Sequence, residues 1–236
     1  MSPKRPTQRL ATTPPKREPL VAPRMTDALT IVDDWDAGEA LGWSEVDVRG
    51  EYVGVDAPQL DVTRSRFVDV RLTAGRFEGA RFTDVRFEGC DLSGATLMES
   101  SFTRVEFVRC RLSGTTLGGS RCRDLRFVDC KLDGAHLRSM KGERLEMERC
   151  VATNVDFAAA QLTGCRLFDC DLGGADFSNV SLPGVRLHGS ALDELRGAGS
   201  LRNAVIDTAQ IVPLALRMFH AIGVTVDDDR DPEPDH

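Results

Sequence analysis

Five of the seven cysteines, Cys90, Cys110, Cys130, Cys150 and Cys170, recur at intervals of twenty residues. Thiols in a regular series suggest disulfide exchange or thiolate coordination of a metal. A straight ladder cannot supply a tetrahedral ligand set, and the sequence has no CxxC or Cys/His pair of metal-site spacing. Rungs of a ladder also carry parallel Cβ vectors, which is poor disulfide geometry. The series therefore reads as small buried hydrophobes in a reducing compartment, the cytoplasm. The four histidines, His136, His188, His220 and His236, share no spacing that makes a site. No phosphate loop, HExxH or nucleophile elbow is present. One carboxylate group, Glu106 with Glu146 and Glu148, could cleave a polysaccharide if it projected from stacked strands. Arg126, Arg109 and Arg149 lie close by in the pattern and make a salt-bridge lattice the better reading. The sequence thus predicts no catalytic residue, no cofactor and no metal: not an enzyme.

The elements that place these residues follow a period of five. From Phe67 to Leu192 every fifth residue is apolar or small and the register never slips; Leu72, Phe77, Phe82 and Phe87 open the series, and Cys122, Gly142, Met147 and Ala152 all lie on it. Neither a helix nor a flat strand has this period. Twenty is four fives, so each turn of a coil has four sides and residues twenty apart stack at ~4.8 Å. Residues 65–194 then make a rod of about 6.5 turns, roughly 31 Å long. The residue two before each fifth position also points inward: Val70, Ala80, Val85, Ala95, Val105 and Ala135 join the cysteines, with Ser65, Gly75 and Ser100 as small exceptions. Nine of the eleven phenylalanines hold fifth positions, as a narrow core of stacked rings requires. At Gly142 the preceding inward residue is Met140, a volume exchange, whereas Ala152 has no such compensation.

The segments CDLSG (90–94), CDLGG (170–174) and ADFSN (175–179) follow a pattern of small, polar, Leu/Phe, polar, Gly/polar. In this the chain resembles the pentapeptide-repeat proteins, over roughly residues 50–195. The resemblance implies an all-β, right-handed quadrilateral parallel β-helix, and it supplies the handedness that spacing alone does not. It also implies a binding solenoid: members of that family protect DNA gyrase or related topoisomerases as DNA mimics, and several dimerise through C-terminal elements.

Outside the repeat the composition changes. Residues 1–24 carry six Lys/Arg against one Glu with six prolines, and are expected to be a disordered extension, or to precede a true start at Met25. Residues 25–49 are expected to cap the N-terminal end, with coiling from Gly50, because an open coil end exposes strand edges. Residues 196–226 are the expected C-terminal cap. Asp207 and Gln210 make a capping pair there, a helix runs from about 208 to 222, and Gly223 stops it. Ile211, Leu214, Met218, Phe219 and Ile222 follow helical spacing and are the candidate cap or dimer face. The tail 227–236 is acidic and expected to be solvated. No apolar run is long enough to cross a membrane.

The outward charges decide what such a rod can bind. Duplex DNA carries one charge per ~1.7 Å, so a mimic of this length would display about 18 negatives. Residues 65–194 hold 18 basic and 19 acidic side chains, so a uniform mimic is excluded. Sorted by side, the prism is dipolar. Asp91, Glu99, Asp133, Asp156, Asp171, Asp176, Asp193 and Glu194 fall on two adjoining sides and form a candidate acidic flank. Arg81, Arg104, Arg121, Arg123, Lys141 and Arg144 form a basic stripe. Outward aromatics to stack bases are missing, so direct nucleic-acid binding is not expected. The sequence predicts a cytoplasmic homodimer that recognises another protein. By resemblance the partner is DNA gyrase, met by partial DNA mimicry in the manner of quinolone resistance; the alternative is a scaffold for another protein without mimicry.

Overall fold

The computed structural model describes residues 19–35 and 42–224. They build a parallel β-solenoid of about 7 turns with one short C-terminal helix. Five strands of eight residues, β4 (Asp61–Val68), β5 (Arg81–Glu88), β6 (Ser101–Val108), β7 (Arg121–Val128) and β8 (Lys141–Glu148), pair in parallel at a shift of twenty. Each wraps two sides of the coil, the fourth (Val62, Phe82, Phe102, Cys122) and the first (Phe67, Phe87, Phe107, Phe127). The other two sides stack by single bridges, such as Arg71 to Asp91 to Arg111 and Arg76 to Thr96 to Thr116. Further on, β9 (Gln161–Thr163) and β10 (Arg166–Phe168) continue the strand sides separately.

The corners show why the period is five. From Gly54 to Glu194 every fifth residue has a positive φ, always two positions after an inward fifth residue. Glycine accepts that conformation freely, and asparagine and aspartate accept it readily. Arg64, Arg104, Arg109, Arg144 and Arg149 hold it too, at a cost of roughly 1 kcal/mol each. Their backbone and side-chain bonds to neighbouring coils must offset that.

Inside, the rings of Phe67, Phe87, Phe107 and Phe127 form one stack, with centroids 4.6, 4.6 and 5.0 Å apart. The five cysteines form a single internal column, buried and unbridged. The thiols of Cys90, Cys110, Cys130 and Cys150 donate to the carbonyls of Phe67, Phe87, Phe107 and Phe127 at 3.4–3.6 Å. Ser100, Thr115, Ser120 and Ser190 make the same bond, at 2.9–3.0 Å, to Phe77, Leu92, Leu97 and Leu167. The small inward position thus favours donors that satisfy a corner carbonyl of the preceding coil, which is a reason for Cys and Ser beyond size. Gly142 stays in register between Cys122 and Leu162, without a bulge. A Cβ there would fall on the Cys122 carbonyl, and both Met140 and Ala152 are fully buried.

Pairing starts earlier than Gly50: β1 (Thr30–Val32) pairs with β3 (Val46–Val48), and β2 (Gly42–Ser44) and β3 both pair with β4. Trp35 closes this end, stacked 6.1 Å from Phe77 and packed against Trp43 and Tyr52. Residues 19–24, which composition assigns to a disordered extension, instead lie along the coil. The backbone N–H of Val21 donates to Asp124 and that of Arg24 to Asp84. Residues 1–18 and the acidic tail 227–236 lie outside the described residues. At the other end Val205 still bridges to Arg186. Asp207 and Gln210 then form a reciprocal capping box on a 3-10 turn (Thr208–Gln210), which leads into α1 (Ile211–Ala221). Gln210, almost fully buried, donates its amide to the carbonyls of Ser190 and Leu187, so it plugs the last coil.

Candidate recognition surfaces

Glu106, Glu146 and Glu148 are neutralised. On the first side the outward column alternates in charge through Arg86, Glu106, Arg126, Glu146 and Arg166 on successive coils. Arg86 lies 3.2 Å and Arg126 3.5 Å from Glu106. Arg126 also lies 3.1 Å from Glu146, off the hydrogen-bond axis, and 2.7 Å from Glu148. Arg166 closes on Glu146 at 3.1 Å, and Arg149 pairs with Glu148 and Asp129. This face is a salt-bridge lattice between coils. Among the described residues no group of His, Cys, Asp and Glu is arranged to hold a metal ion.

The acidic flank divides. Asp156 pairs with Arg138 at 3.1 Å, and Asp176 lies 3.8 Å from Arg196. Asp91, Asp156 and Asp176 also cap local turns, accepting the N–H groups of Ser93, Ala158 and Ser178. Burial works against the charge on Asp176, but the Ser178 bonds and Arg196 outweigh it and hold its carboxyl below the usual range. Asp133 accepts the Ser113 hydroxyl at 2.9 Å. Asp171, Asp193 and Glu194 are exposed, and among the described residues no Lys or Arg pairs with them. Glu99 is exposed on the third side.

The basic stripe divides in the same way. Arg104 grips Asp84 through Nε and Nη2, both at 2.6 Å, and Arg144 grips Asp124 at 2.6 and 3.0 Å. Arg81 and Arg123 pair with Asp61 and Glu143. Arg121 and Lys141 stand in register on consecutive coils, exposed. Burial opposes ionisation of Asp84 and Asp124, yet the arginines together with the Arg24 and Val21 N–H groups hold both carboxyls below their ordinary value. Sequence reasoning missed this corner column as a structural device. Its signal was present: positions 64, 84, 104, 124 and 144 read Arg, Asp, Arg, Asp, Arg.

On α1 the candidate residues separate. Leu214 is buried against the coil, while Ile211, Met218, Phe219 and Ile222 are exposed, together with Val212 and Leu216. One residue of the apolar stripe caps the rod and the rest faces outward. No helix among the described residues is long and apolar enough to cross a membrane.

A family model described as pentapeptide repeats matches the chain at residues 65–104 and 160–194, in 8 copies. No curated protein matches the sequence significantly. Among solved structures the chain is similar to QnrB1, described as a plasmid-mediated fluoroquinolone resistance protein. The identity is 19% over 80% of this chain and 98% of that one, with a TM-score of 0.47. It is also similar to HetL, a pentapeptide repeat protein involved in heterocyst differentiation regulation from the cyanobacterium Nostoc, at 16% identity over 72% and 90% of the two chains, TM-score 0.28. A third is the pentapeptide repeat protein Rfr23 from the cyanobacterium Cyanothece, at 16% identity over 67% and 88%, TM-score 0.19. The matched repeats, the unbroken five-residue corners and the four-sided coil agree: the chain carries pentapeptide repeats, and they coil into this solenoid.

Proposed function

We propose that this chain is a non-catalytic recognition rod that works as a homodimer and docks its acidic C-terminal flank on a basic groove of another protein. The observation that carries this reading is the exposed set Asp171, Asp193 and Glu194, left without cationic partners among the described residues while most other acids of the coil are paired. Two copies joined through α1 would double that flank. The partner expected from family resemblance is a type II topoisomerase, DNA gyrase, with the flank standing in for a short stretch of DNA phosphates.

The test is gyrase supercoiling with and without the protein, and with and without a quinolone. The expected result is an altered rate or quinolone sensitivity at micromolar protein, lost on Asp171→Lys/Asp193→Lys/Glu194→Lys. No effect of the unaltered protein removes gyrase as the partner. A scaffold for some other protein, without mimicry, is favoured by one specific observation. The near balance of charge over residues 65–194 leaves only a short anionic segment. An effect that survives the triple charge reversal would support that second reading.

A further inference from the structure

The corner between the fourth and first sides has a periodicity of its own. Arg64 bonds Glu45 at 2.9 Å, Arg104 bonds Asp84 and Arg144 bonds Asp124, each arginine reaching back to the preceding coil. Carboxylates therefore recur on every second coil, about 9.6 Å apart at the spacing of stacked strands. Three residues of polyproline II chain span about 9.3 Å. The N-terminal segment uses that match. Val21 N–H donates to Asp124 Oδ1 at 3.0 Å, and Arg24 N–H, three residues on, donates to Asp84 Oδ1 at 2.8 Å. Leu20, Pro23, Thr26 and Leu29 are the half-buried residues between Leu20 and Leu29, a period of three that polyproline II dictates. The segment runs against the direction of coiling and enters the first strand where Thr30 N–H meets the Glu45 carbonyl at 2.9 Å.

Asp84 and Asp124 are 5% and 2% exposed, and each carries its arginine as well as the backbone donor. The arginine binds both carboxylate oxygens, and Oδ1 accepts the segment's N–H group as well. Such a site reads backbone N–H groups at positions i and i+3 and leaves the side chains little constrained. It tolerates proline between them, as Pro23 shows. Among the described residues the segment has two charge-assisted bonds to the corner and four half-buried side chains, against the regular ladder of the coils beneath it.

We propose that this corner is a peptide-docking track, with residues 20–29 as its resident occupant and an extended, proline-containing segment of a partner protein as the exchangeable one. The acidic flank lies on other sides of the rod, so the track is a second surface and its test is separate from that of the topoisomerase reading. While the chain's own segment is seated, the track is closed to others.

Backbone amide exchange in the full chain tests occupancy. Protection of the Val21 and Arg24 amides is expected, and exchange at the rate of free peptide would overturn the proposal. A full chain carrying Val21→Pro and Arg24→Pro loses both donors while every coil residue is unchanged. Because the resident segment competes at an effective concentration in the millimolar range, a labelled peptide of residues 19–30 should bind this variant at least about tenfold more tightly than the unaltered protein. The same peptide with both prolines should not bind. Equal binding of the two peptides, or no binding of the first to the proline variant, would overturn the track as an exchangeable site.

Discussion

Asp84 and Arg104 occupy the same corner on consecutive coils, both with positive φ, and meet through two bonds of 2.6 Å. Arg104 has taken a conformation that disfavours its side chain, and its two bonds to Asp84 hold it there. Truncating one partner strands a buried charge, which costs about 3 kcal/mol, whereas removing both costs much less. Arg104→Ala should therefore lower the urea midpoint clearly, and Arg104→Ala with Asp84→Ala should recover most of it. Additive losses in the double variant would show that the pair does not act as a unit.

The same pair, with Asp124 and Arg144, predicts acid sensitivity. Burial raises the Asp84 and Asp124 carboxyl values, but the arginines and the N-terminal amides bring both below the ordinary carboxylate value. The unfolded chain then binds more protons at low pH than the folded one. The stabilisation is complete above about pH 4 and is lost as pH falls through the lower folded values. Urea midpoints measured downward from neutral pH should fall off below that point. Asp84→Asn/Asp124→Asn should start lower at pH 7 and lose less with acid; parallel curves would refute the assignment.

The fold was legible because its core is one side chain wide. With no second layer, every inward position is set by the coil, so Phe67 to Leu192 declare themselves at five-residue spacing. The carboxylates of the first side were legible as a lattice for the same reason, since Glu106, Arg126 and Glu146 stack whatever else the chain does. The basic stripe misled. Arg104 and Arg144 count as outward charges in sequence, but corner geometry turns them onto Asp84 and Asp124. The N-terminal segment was illegible because an irregular stretch with only one side chain in three half-buried leaves little pattern, and its contacts lie 60 and 103 residues away in the chain.

All seven thiols are buried, and none is bridged. Burial pushes the Cys122 thiol up to about 12, and Cys165 rises for the same reason. All seven lie inside the coil, out of reach of a bulky reagent, so DTNB should label no cysteine in the native protein at neutral pH. All seven should react once it is unfolded in denaturant. Rapid native labelling of any thiol would contradict the closed internal column.

Gly142 is where backbone meets backbone. A Cβ at this position would overlap the Cys122 carbonyl oxygen, and would also meet Cys122 Sγ at 2.7 Å. The ladder on both sides fixes the backbone, so the collision cannot relax into space. Gly142→Ala should cost about 3 kcal/mol, the upper end of overpacking effects. Cys122→Ala alongside would relieve only the sulfur contact. Thermal unfolding of the single variant within 2 °C of the unaltered protein would mean that β7 and β8 part more easily here than their pairing implies.

The terminal helix carries the last prediction. Leu214 alone of the candidate face is buried, at 7% exposure, while Met218 and Phe219 stand 43% and 44% open and Ile222 71%. Leu214 and the Gln210 plug hold α1 on the coil, so its outer face can be altered without uncapping the rod. In a homodimer joined by α1, Met218→Asp/Phe219→Asp should halve the mass by light scattering and leave the unfolding midpoint of the coil nearly unchanged. Leu214→Asp should do the reverse: it should open the C-terminal end and lower stability by a few kcal/mol, through burial of an unpaired charge. A dimer mass that persists in the Met218→Asp/Phe219→Asp protein would exclude α1 as the contact between copies.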